Sequence, residues 1–195
     1  WAGSVIVFYT HIGYGLVLWG LVRLRRWRSG RRVLPPLSAD ELPAVTVIVP
    51  AYNEGTVIAD KAANTLALDY PPALLDVLFV TDGSTDGTPE ALQALLLPAG
   101  RSVRVEHSPE RRGKLAAIDR IMPQVQTPIT VFTDANTMLN REAIRRLVAH
   151  YADATVGAVS GEKRVQSAAG SGVEGHGEGA YWRYESTLKR LDAEL

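Results

Sequence analysis

Two groups of polar residues follow apolar stretches of this sequence and have the side chains to bind a cation or a phosphorylated ligand. The stretch "DVLFVTDGSTDGT" carries Asp82, Ser84 and Asp86, and the stretch "VFTDANTM" carries Asp134 and Asn136. Carboxylate, hydroxyl and amide oxygens are ligands that Ca²⁺, Mg²⁺ and Mn²⁺ prefer. The spacing within each group has to decide between a calcium loop, a magnesium or manganese site and a nucleotide-binding edge.

The first group matches the opening of a calcium-binding EF-hand loop. Such a loop places oxygen ligands at positions 1, 3 and 5, glycine at position 6 and glutamate at position 12. Asp82 and Gly87 occupy positions 1 and 6, but position 12 is Gln93, which has no carboxylate. The apolar residues before Asp82 also have the pattern of a strand, whereas an EF-hand loop follows a helix. The sequence therefore favours a strand that delivers Asp82 to a binding cleft.

The second group suits magnesium or manganese. These ions are often held by one or two protein oxygens, and phosphate oxygens of a substrate complete the coordination. Asp134 and Asn136 could bridge such an ion to a nucleotide diphosphate, where the ion stabilises charge on the leaving phosphate. Asp and Asn are also frequent in turns, so a sequence that only shapes a turn is the alternative.

A third motif, "GSGVEG" at residues 170–175, matches the glycine pattern of dinucleotide-binding proteins. That pattern is informative within a βαβ unit that has an acidic residue about 20 positions later. No second strand pattern follows Gly175, and five glycines between residues 170 and 179 predict a flexible loop. A dinucleotide-dependent oxidoreductase is therefore the weaker hypothesis.

The elements that must position these residues are visible as an alternation of patterns. Strand-like stretches and helix-like stretches take turns along the chain. The strand-like ones are 44–53, 74–82, 101–108, 127–136 and 154–165, and the helix-like ones are 55–68, 88–97, 112–122 and 140–152. This alternation predicts an α/β fold with a mostly parallel sheet flanked by helices. Because such sheets bind ligands at the carboxyl ends of their strands, Asp82 and Asp134 should lie at one edge of the sheet.

The N-terminal residues have a different composition. Residues 1–22 contain no Asp, Glu, Lys or Arg, and residues 1–39 contain six arginines without an acidic residue. This pattern predicts a transmembrane helix at 1–22 whose C-terminal end faces the cytoplasm. A cleaved signal peptide would carry its basic residues first, and a buried core helix with a basic tail is the other alternative. A basic and Pro-rich linker at 23–43 and an α/β domain at 44–195 complete the predicted organisation.

Composition limits the remaining classes of function. The chain has no cysteine, which excludes disulfides and thiolate metal sites. Its 21 basic and 21 acidic residues balance, but outside residues 1–39 only 15 basic residues face 21 acidic ones. Because nucleic-acid-binding domains present a strongly basic surface, no nucleic-acid partner is expected.

Five stretches occur in order along the chain: "VTVIVPAYNE", "VTDGSTDGT", "RRGKLAAID", "VFTDANT" and "VSGEKRV". Together they resemble family 2 glycosyltransferases, the inverting, polysaccharide-synthase-like group that includes cellulose, chitin and hyaluronan synthases. The resemblance covers residues 44–190 and implies a GT-A fold, in which helices flank a Rossmann-like sheet. It also implies a membrane-anchored enzyme that moves a sugar from a nucleotide-diphosphate donor, most often UDP-linked, to a saccharide or lipid acceptor.

The resemblance assigns roles to the polar residues at the predicted strand ends. Asp82 is expected to hydrogen-bond the base, Lys114 to lie near the diphosphate, and Asp134 to contact the ribose or the metal. Asn136 is expected to coordinate Mg²⁺ or Mn²⁺, although its neutral amide replaces the more familiar aspartate and should bind the ion less tightly. The implied nucleotide-sugar-binding residues are Ala51, Tyr52, Glu54, Asp82, Lys114 and Asp134, and the implied acceptor-side residues are Glu162 and Trp182.

No catalytic base is assigned within this sequence. In the resembling family the base is an aspartate of a "TED"-like motif, which a "QxxRW"-like motif follows, and both are expected beyond Leu195. An inverting transfer needs such a base to deprotonate the acceptor hydroxyl. The chain is therefore expected to hold the donor-binding half of a C-terminally incomplete domain, at the membrane and on its cytoplasmic side. The alternative is a nucleotide-binding or scaffold module without catalysis.

Overall fold

The computed structural model describes residues 1–30, 37–95, 102–162 and 184–195. The chain divides into two compact units. The first, called the helical unit below, comprises Trp1–Val33 and Ser160–Leu195, and the second, called the sheet unit, comprises Leu34–Val159.

The helical unit begins with one long helix. It consists of α1 (Ala2–Phe8), a π-helical turn (Tyr9–Gly13) and α2 (Tyr14–Ser29). Its segment Gly3–Arg28 is long and apolar enough to cross a membrane, and only about a tenth of its most apolar 18 residues are buried. The helix continues past Val22, so the first arginines extend it instead of starting a linker.

A second helix of the helical unit covers residues 184–192 and packs along α2. Leu18 and Val22 of α2 form a small buried cluster with Leu188 and Leu191. Arg26 adds an ion pair with Glu194 at 2.7 Å, close to the end of α2. One face of the N-terminal helix is therefore covered, while apolar side chains on its other faces stay exposed.

The sheet unit is built on four parallel strands. They are β1 (Val45–Ala51), β2 (Leu75–Asp82), β3 (Ser102–Ser108) and β4 (Ile129–Phe132). Their order in the sheet is β3-β2-β1-β4, and the register places Ala51 beside Thr81 and Asp82 beside Ser108. The predicted parallel sheet is confirmed, and the carboxyl ends of all four strands lie at one edge.

Four helices cover the two faces of this sheet: α3 (Ile58–Leu66), α4 (Thr88–Gln93), α5 (Lys114–Ile121) and α6 (Ala143–Ala149). Successive strand residues point to opposite faces. Val47, Val49 and Phe79 therefore join the core with α3, α4 and α6, whereas Ile48 and Leu78 pack on the opposite face against α5. Helices on both faces explain why β1 and β2 are almost continuously apolar.

Two strand predictions differ from the structure. Residues 154–162 contain no strand, and the last three residues of the predicted stretch, 163–165, lie outside the described residues. Among the described residues no strand pairs with 154–162, and without such a partner the backbone cannot form a ladder. β4 is shorter than predicted because the chain turns after Phe132, where Thr137 N donates to Asp134 O at 3.1 Å.

Candidate nucleotide and metal site

The loop after β1 is held by the turn after β2. Asn53, which has a positive φ of 52°, donates its backbone N–H to Ser84 Oγ at 3.2 Å and accepts from Thr85 N at 2.9 Å through its side chain. The next amide, Glu54 N, donates to Thr88 Oγ1 at 2.9 Å. These contacts fix the shape of the loop that carries Tyr52 and Glu54.

Asp86 makes the closest of these loop contacts. Its Oδ2 accepts from Gly55 N at 2.8 Å, and its Oδ1 accepts from the amide and the hydroxyl of Thr88 at 3.1 and 2.5 Å. The hydroxyl of Thr88 is the main reason why the pKa of Asp86 lies below its usual value, and the Gly55 amide adds to it. A Cβ at position 55 would lie 2.9 Å from Asp86 O, so glycine is needed for this approach.

Asp82 ends β2 as a buried carboxylate, with 6% of its side chain exposed. Its Oδ2 accepts from Arg112 N at 2.8 Å and from Gly113 N at 2.7 Å, and its Oδ1 receives a longer contact of 3.5 Å from Arg120 Nη1. Burial alone raises the pKa of Asp82, but the two amides and Arg120 outweigh burial and hold it below its usual value. Asp82 is therefore an ionised acceptor that also closes the "RRGK" loop.

An arginine of the same loop covers the tyrosine after β1. The guanidinium carbon of Arg111 lies 3.9 Å from the centroid of the Tyr52 ring, and its Nη1 is 3.2 Å from the Tyr52 hydroxyl. Gly83 permits this approach, because a Cβ there would lie 2.6 Å from Arg111 Cβ. The result is a cation–π pair next to Asp82, made from two planar groups that can stack on a base.

Lys114 and Asp134 meet at the open part of this edge. Lys114 is the first residue of α5, and its Nζ lies 2.5 Å from Asp134 Oδ1, with more than half of each side chain exposed. An exposed pair of this kind contributes at most about 1 kcal/mol to stability. A lysine at a helix N-terminus is also unfavourable with respect to the helix dipole. Stability does not explain this pair, which favours a role in binding.

Asp134 and Asn136 lie on the exposed side of the segment that follows β4. Both are exposed, while Ala135 between them is buried in the core. The part of the chain that the structure describes contains no cluster of three or more His, Cys, Asp or Glu side chains around a common point. Two oxygen-bearing side chains fit a magnesium or manganese ion whose other ligands are phosphate oxygens and water. The residues present are therefore compatible with the predicted metal, provided that a diphosphate binds with it.

The segment that carries Asp134 and Asn136 contacts a buried lysine that the prediction had not named. Lys61 of α3 is fully buried, and its Nζ donates to Thr133 Oγ1 at 2.9 Å and to the carbonyl oxygen of Thr137. Burial lowers the pKa of Lys61 to about 8, and the charge of Asp134 partly opposes that shift. The signal was present: Lys61 occupies the apolar face of α3 with Ile58, Ala62 and Thr65.

The other residues predicted for the site have more limited descriptions. Ala51 is buried at the end of β1, and Glu54 is half-buried in the loop that follows. Glu162 belongs to the helical unit. Trp182 and the "GSGVEG" motif lie outside the described residues. The sheet unit thus brings together Tyr52, Asp82, Lys114, Asp134 and Asn136, and it adds Arg111, Arg112, Gly113 and Arg120, which the prediction had not named.

A buried carboxylate, a lysine and an exposed acid–amide pair thus lie at the carboxyl ends of parallel strands, which is where open α/β sheets bind their ligands. The family model described as glycosyl transferase family 2 matches residues 46–192. The chain therefore belongs to glycosyltransferase family 2, as the resemblance had indicated.

Individual relatives agree with this family assignment. The chain is 28% identical over 134 residues to a poly-β-1,6-N-acetyl-D-glucosamine synthase of Staphylococcus aureus, which covers 68% of this chain and 32% of that protein. It is 31% identical over 128 residues to a β-monoglucosyldiacylglycerol synthase of a Nostoc species, which covers 65% of this chain and 27% of that protein. The chain thus spans about a third of the length of these relatives.

Solved structures support the fold. A mannosyltransferase from Pyrobaculum calidifontis, in complex with GDP-Man and Mn²⁺, aligns with a TM-score of 0.64 and 32% identity over 80% of this chain and 45% of its own. TarS of S. aureus, in complex with UDP-GlcNAc, aligns with a TM-score of 0.51 over 56% of this chain and 31% of its own. At 22% identity the second likeness concerns the fold alone. The GT-A-type fold is confirmed.

Proposed function

We propose that this chain carries the donor-binding half of a membrane-anchored glycosyltransferase that transfers a sugar, with inversion, from a UDP-linked donor to a saccharide or lipid acceptor. The observation that carries the proposal is the convergence of Asp82, Lys114 and Asp134 at one edge of the sheet. These residues come from three segments of the chain and provide a base acceptor, a phosphate-binding cation and a metal ligand. The family assignment replaces the dinucleotide hypothesis.

Asp82 acts on the base of the donor. Its carboxylate is ionised, and the Arg112 and Gly113 amides fix its orientation through Oδ2. Oδ1 is then the oxygen that accepts a base N–H. Uracil presents one such donor, whereas guanine presents two adjacent ones that would need both carboxylate oxygens. This difference is the reason for proposing a UDP-linked donor.

Lys114 and the Asp134–Asn136 pair act on the diphosphate. When the donor binds, the ammonium of Lys114 leaves Asp134 and contacts phosphate oxygens. Asp134 and Asn136 would hold Mg²⁺ or Mn²⁺, which would neutralise the charge that develops on the departing diphosphate. We assign no catalytic base within this sequence.

Calorimetry on the full chain in detergent micelles tests the donor site. We expect UDP to bind in the presence of Mn²⁺, GDP to bind at least tenfold more weakly, and both Asp82→Asn and Asp134→Ala to weaken UDP binding by about tenfold or more. Equal affinity for UDP and GDP would overturn the choice of base. Binding that is unchanged in both variants would overturn the site.

The N-terminal helix supplies the membrane anchor. Phe8, Ile12, Leu16 and Trp19 each expose more than half of their surface along a helix long enough to span a bilayer. The arginines at its end favour a cytoplasmic position for that end and for the sheet unit.

The absence of cysteine provides a clean test of orientation. Ser4→Cys and Ser29→Cys, near the two ends of the helix, can each be labelled with a membrane-impermeant thiol reagent in whole cells. We expect Ser4→Cys to be labelled at once and Ser29→Cys only after the membrane is permeabilised. The opposite result would place the sheet unit outside the cytoplasm, and labelling of both without permeabilisation would argue against a span.

A further inference from the structure

Side chains of helix α3 form hydrogen bonds to both ends of the loop that carries Asp134 and Asn136. Lys61 Nζ donates to Thr133 Oγ1 at 2.9 Å and to the Thr137 carbonyl, on the two sides of Asp134 and Asn136. One turn further along α3, Asn64 Nδ2 donates to Leu139 O at 2.9 Å and Asn64 Oδ1 accepts from Leu139 N at 2.8 Å. Four side-chain hydrogen bonds thus connect α3 with residues 133–139.

Stability alone does not account for the chemistry of this connection. A buried ammonium loses its hydration, and an apolar side chain of similar volume often stabilises a core equally well or better. Lys61 lies on the buried face of α3 with the core residues Ile58 and Ala62, and methionine is an apolar side chain of similar length. What a methionine could not do is hold Thr133 and Thr137 at a fixed separation.

The position of the bonded atoms indicates what the connection controls. Thr133 and Thr137 directly enclose the segment in which Ala135 enters the core and Asp134 and Asn136 remain exposed. A bond on each side of this segment limits rotation of the backbone between them. Because a cation binds best when the oxygens of its protein ligands are already in place, this restraint favours binding of the cation together with the diphosphate.

We propose that Lys61, with Asn64, is a positioning residue that fixes the Asp134–Asn136 loop for binding of the divalent cation. The inference rests on the proposed function, because it concerns the same metal. Lys61 touches neither the cation nor the donor and acts through Thr133 and Thr137.

Removal of Lys61 should change the metal affinity in one direction if the residue positions the loop, and in the opposite direction if only its charge matters. The positive charge of Lys61 repels a nearby divalent cation, so its removal alone should strengthen metal binding. If Lys61 mainly positions the loop, its removal should weaken metal binding instead. Loss of an outer-shell partner of this kind typically lowers metal affinity by about 10–100-fold.

The test measures UDP binding to the full chain with and without Mn²⁺. We expect Lys61→Met to lower the gain in affinity that Mn²⁺ provides by about tenfold, with UDP binding in the absence of metal unchanged. Asn64→Ala, which removes the two bonds at the far end of the loop without changing charge, should lower the same gain by a smaller factor. Ile58→Val is the matched control, because it reduces packing on the buried face of α3 without removing a hydrogen bond, and it should leave the gain unchanged.

Hydrogen exchange provides a readout that does not depend on ligand. In the metal-free protein we expect faster exchange at the amides of Thr137 and Leu139 in Lys61→Met and Asn64→Ala, with the amides of β1 and β2 unaffected. The control Ile58→Val should not change exchange in the loop.

The outcomes separate the two proposals. A wild-type chain whose UDP binding ignores Mn²⁺ would contradict the proposed function. A wild-type chain that responds to Mn²⁺, together with Lys61→Met that responds equally or more strongly, would overturn the positioning role alone. Should Lys61→Met fail to fold, Asn64→Ala decides, and unchanged metal dependence and loop exchange in that variant would also overturn the inference.

Discussion

The two aspartates at the strand ends, Asp82 and Asp134, belong to the same proposed site but are held in opposite ways. Asp82 is 4% exposed, and backbone amides fix its carboxylate. Asp134 is about half exposed and is paired with the exposed ammonium of Lys114. A group that reads a base benefits from a rigid orientation, whereas a group that shares a cation with phosphates must be able to exchange partners. One edge of the sheet thus carries a carboxylate that backbone amides hold in place and a carboxylate whose partner is an exposed side chain.

The largest expected effect is on stability and separates the two aspartates. Asp82→Ala removes the acceptor of the Arg112 and Gly113 amides, and we expect it to lower the free energy of unfolding by about 2 kcal/mol. Asp134→Ala removes an exposed pair and should change it by less than about 0.5 kcal/mol. Urea denaturation followed by circular dichroism measures both. Equal losses would show that Asp82 is not the structural member of the pair.

The next effect is on metal-dependent binding, and here the larger loss is expected from the Asp134 variant instead of the Asp82 variant. We expect Asp134→Ala to reduce the affinity for Mn²⁺ in the presence of UDP by about tenfold or more, because half of the proposed protein ligands are lost. The electron paramagnetic resonance signal of free Mn²⁺ reports this affinity directly. Asp69→Ala serves as the control, since it removes an aspartate that is equally exposed and ion-paired, with Arg145 at 3.2 Å, but that has no part in the proposed site. Retention of Mn²⁺ affinity in Asp134→Ala would place the metal elsewhere.

A smaller effect is expected on the stability of the protein at acidic pH. The pKa of Asp82 lies below its usual value in the folded protein, so the unfolded chain binds the proton more readily as pH falls. The stabilisation from Asp82 is therefore complete above pH 4 or so and is lost as pH falls through the folded pKa. Comparison of the melting temperature between about pH 5 and pH 2 in the wild type and in Asp82→Asn measures it. A variant that loses stability as steeply as the wild type would assign the effect to other carboxylates, such as Asp86.

The smallest effect concerns the neutral ligand. Asn136→Asp restores a second carboxylate beside Asp134 and should increase Mn²⁺ affinity several-fold, which corresponds to about 1 kcal/mol or less. The same titration that measures Asp134→Ala detects it, and the stability of the protein should not change. A decrease in affinity would mean that the two side chains do not face a common ion.

Much of the sheet and the main site residues could be predicted from the sequence, because each motif directly follows an apolar run. Asp82 follows β2 and Asp134 follows β4, and a parallel sheet brings the carboxyl ends of its strands together whatever the intervening residues are. The helices were predicted at the right places but too long, since apolar spacing continues into turns where hydrogen bonding has already changed.

The residues that sequence reasoning missed depend on contacts between distant parts of the chain. Lys61 and Thr133 are 72 residues apart, and Arg111 and Tyr52 are 59 residues apart. No local pattern states which loop a buried lysine will reach. The strand predicted at 154–162 is absent for a similar reason. A strand forms only where a second strand pairs with it, and the sequence of the stretch itself does not show that partner.

The hydrogen bonds of the loop after β1 also determine which groups can bind the phosphates of a ligand. In many nucleotide-binding folds the amides of the first strand–helix loop cradle the phosphates. Here three consecutive amides, those of Asn53, Glu54 and Gly55, are already occupied by Ser84, Thr88 and Asp86. These three amides are therefore not available to a phosphate, and in the proposed site the charge of the diphosphate is left to the Lys114 side chain and the metal ion. Affinity for the donor would then follow the salt and metal content of the surrounding solution, whereas affinity for the bare nucleoside would not.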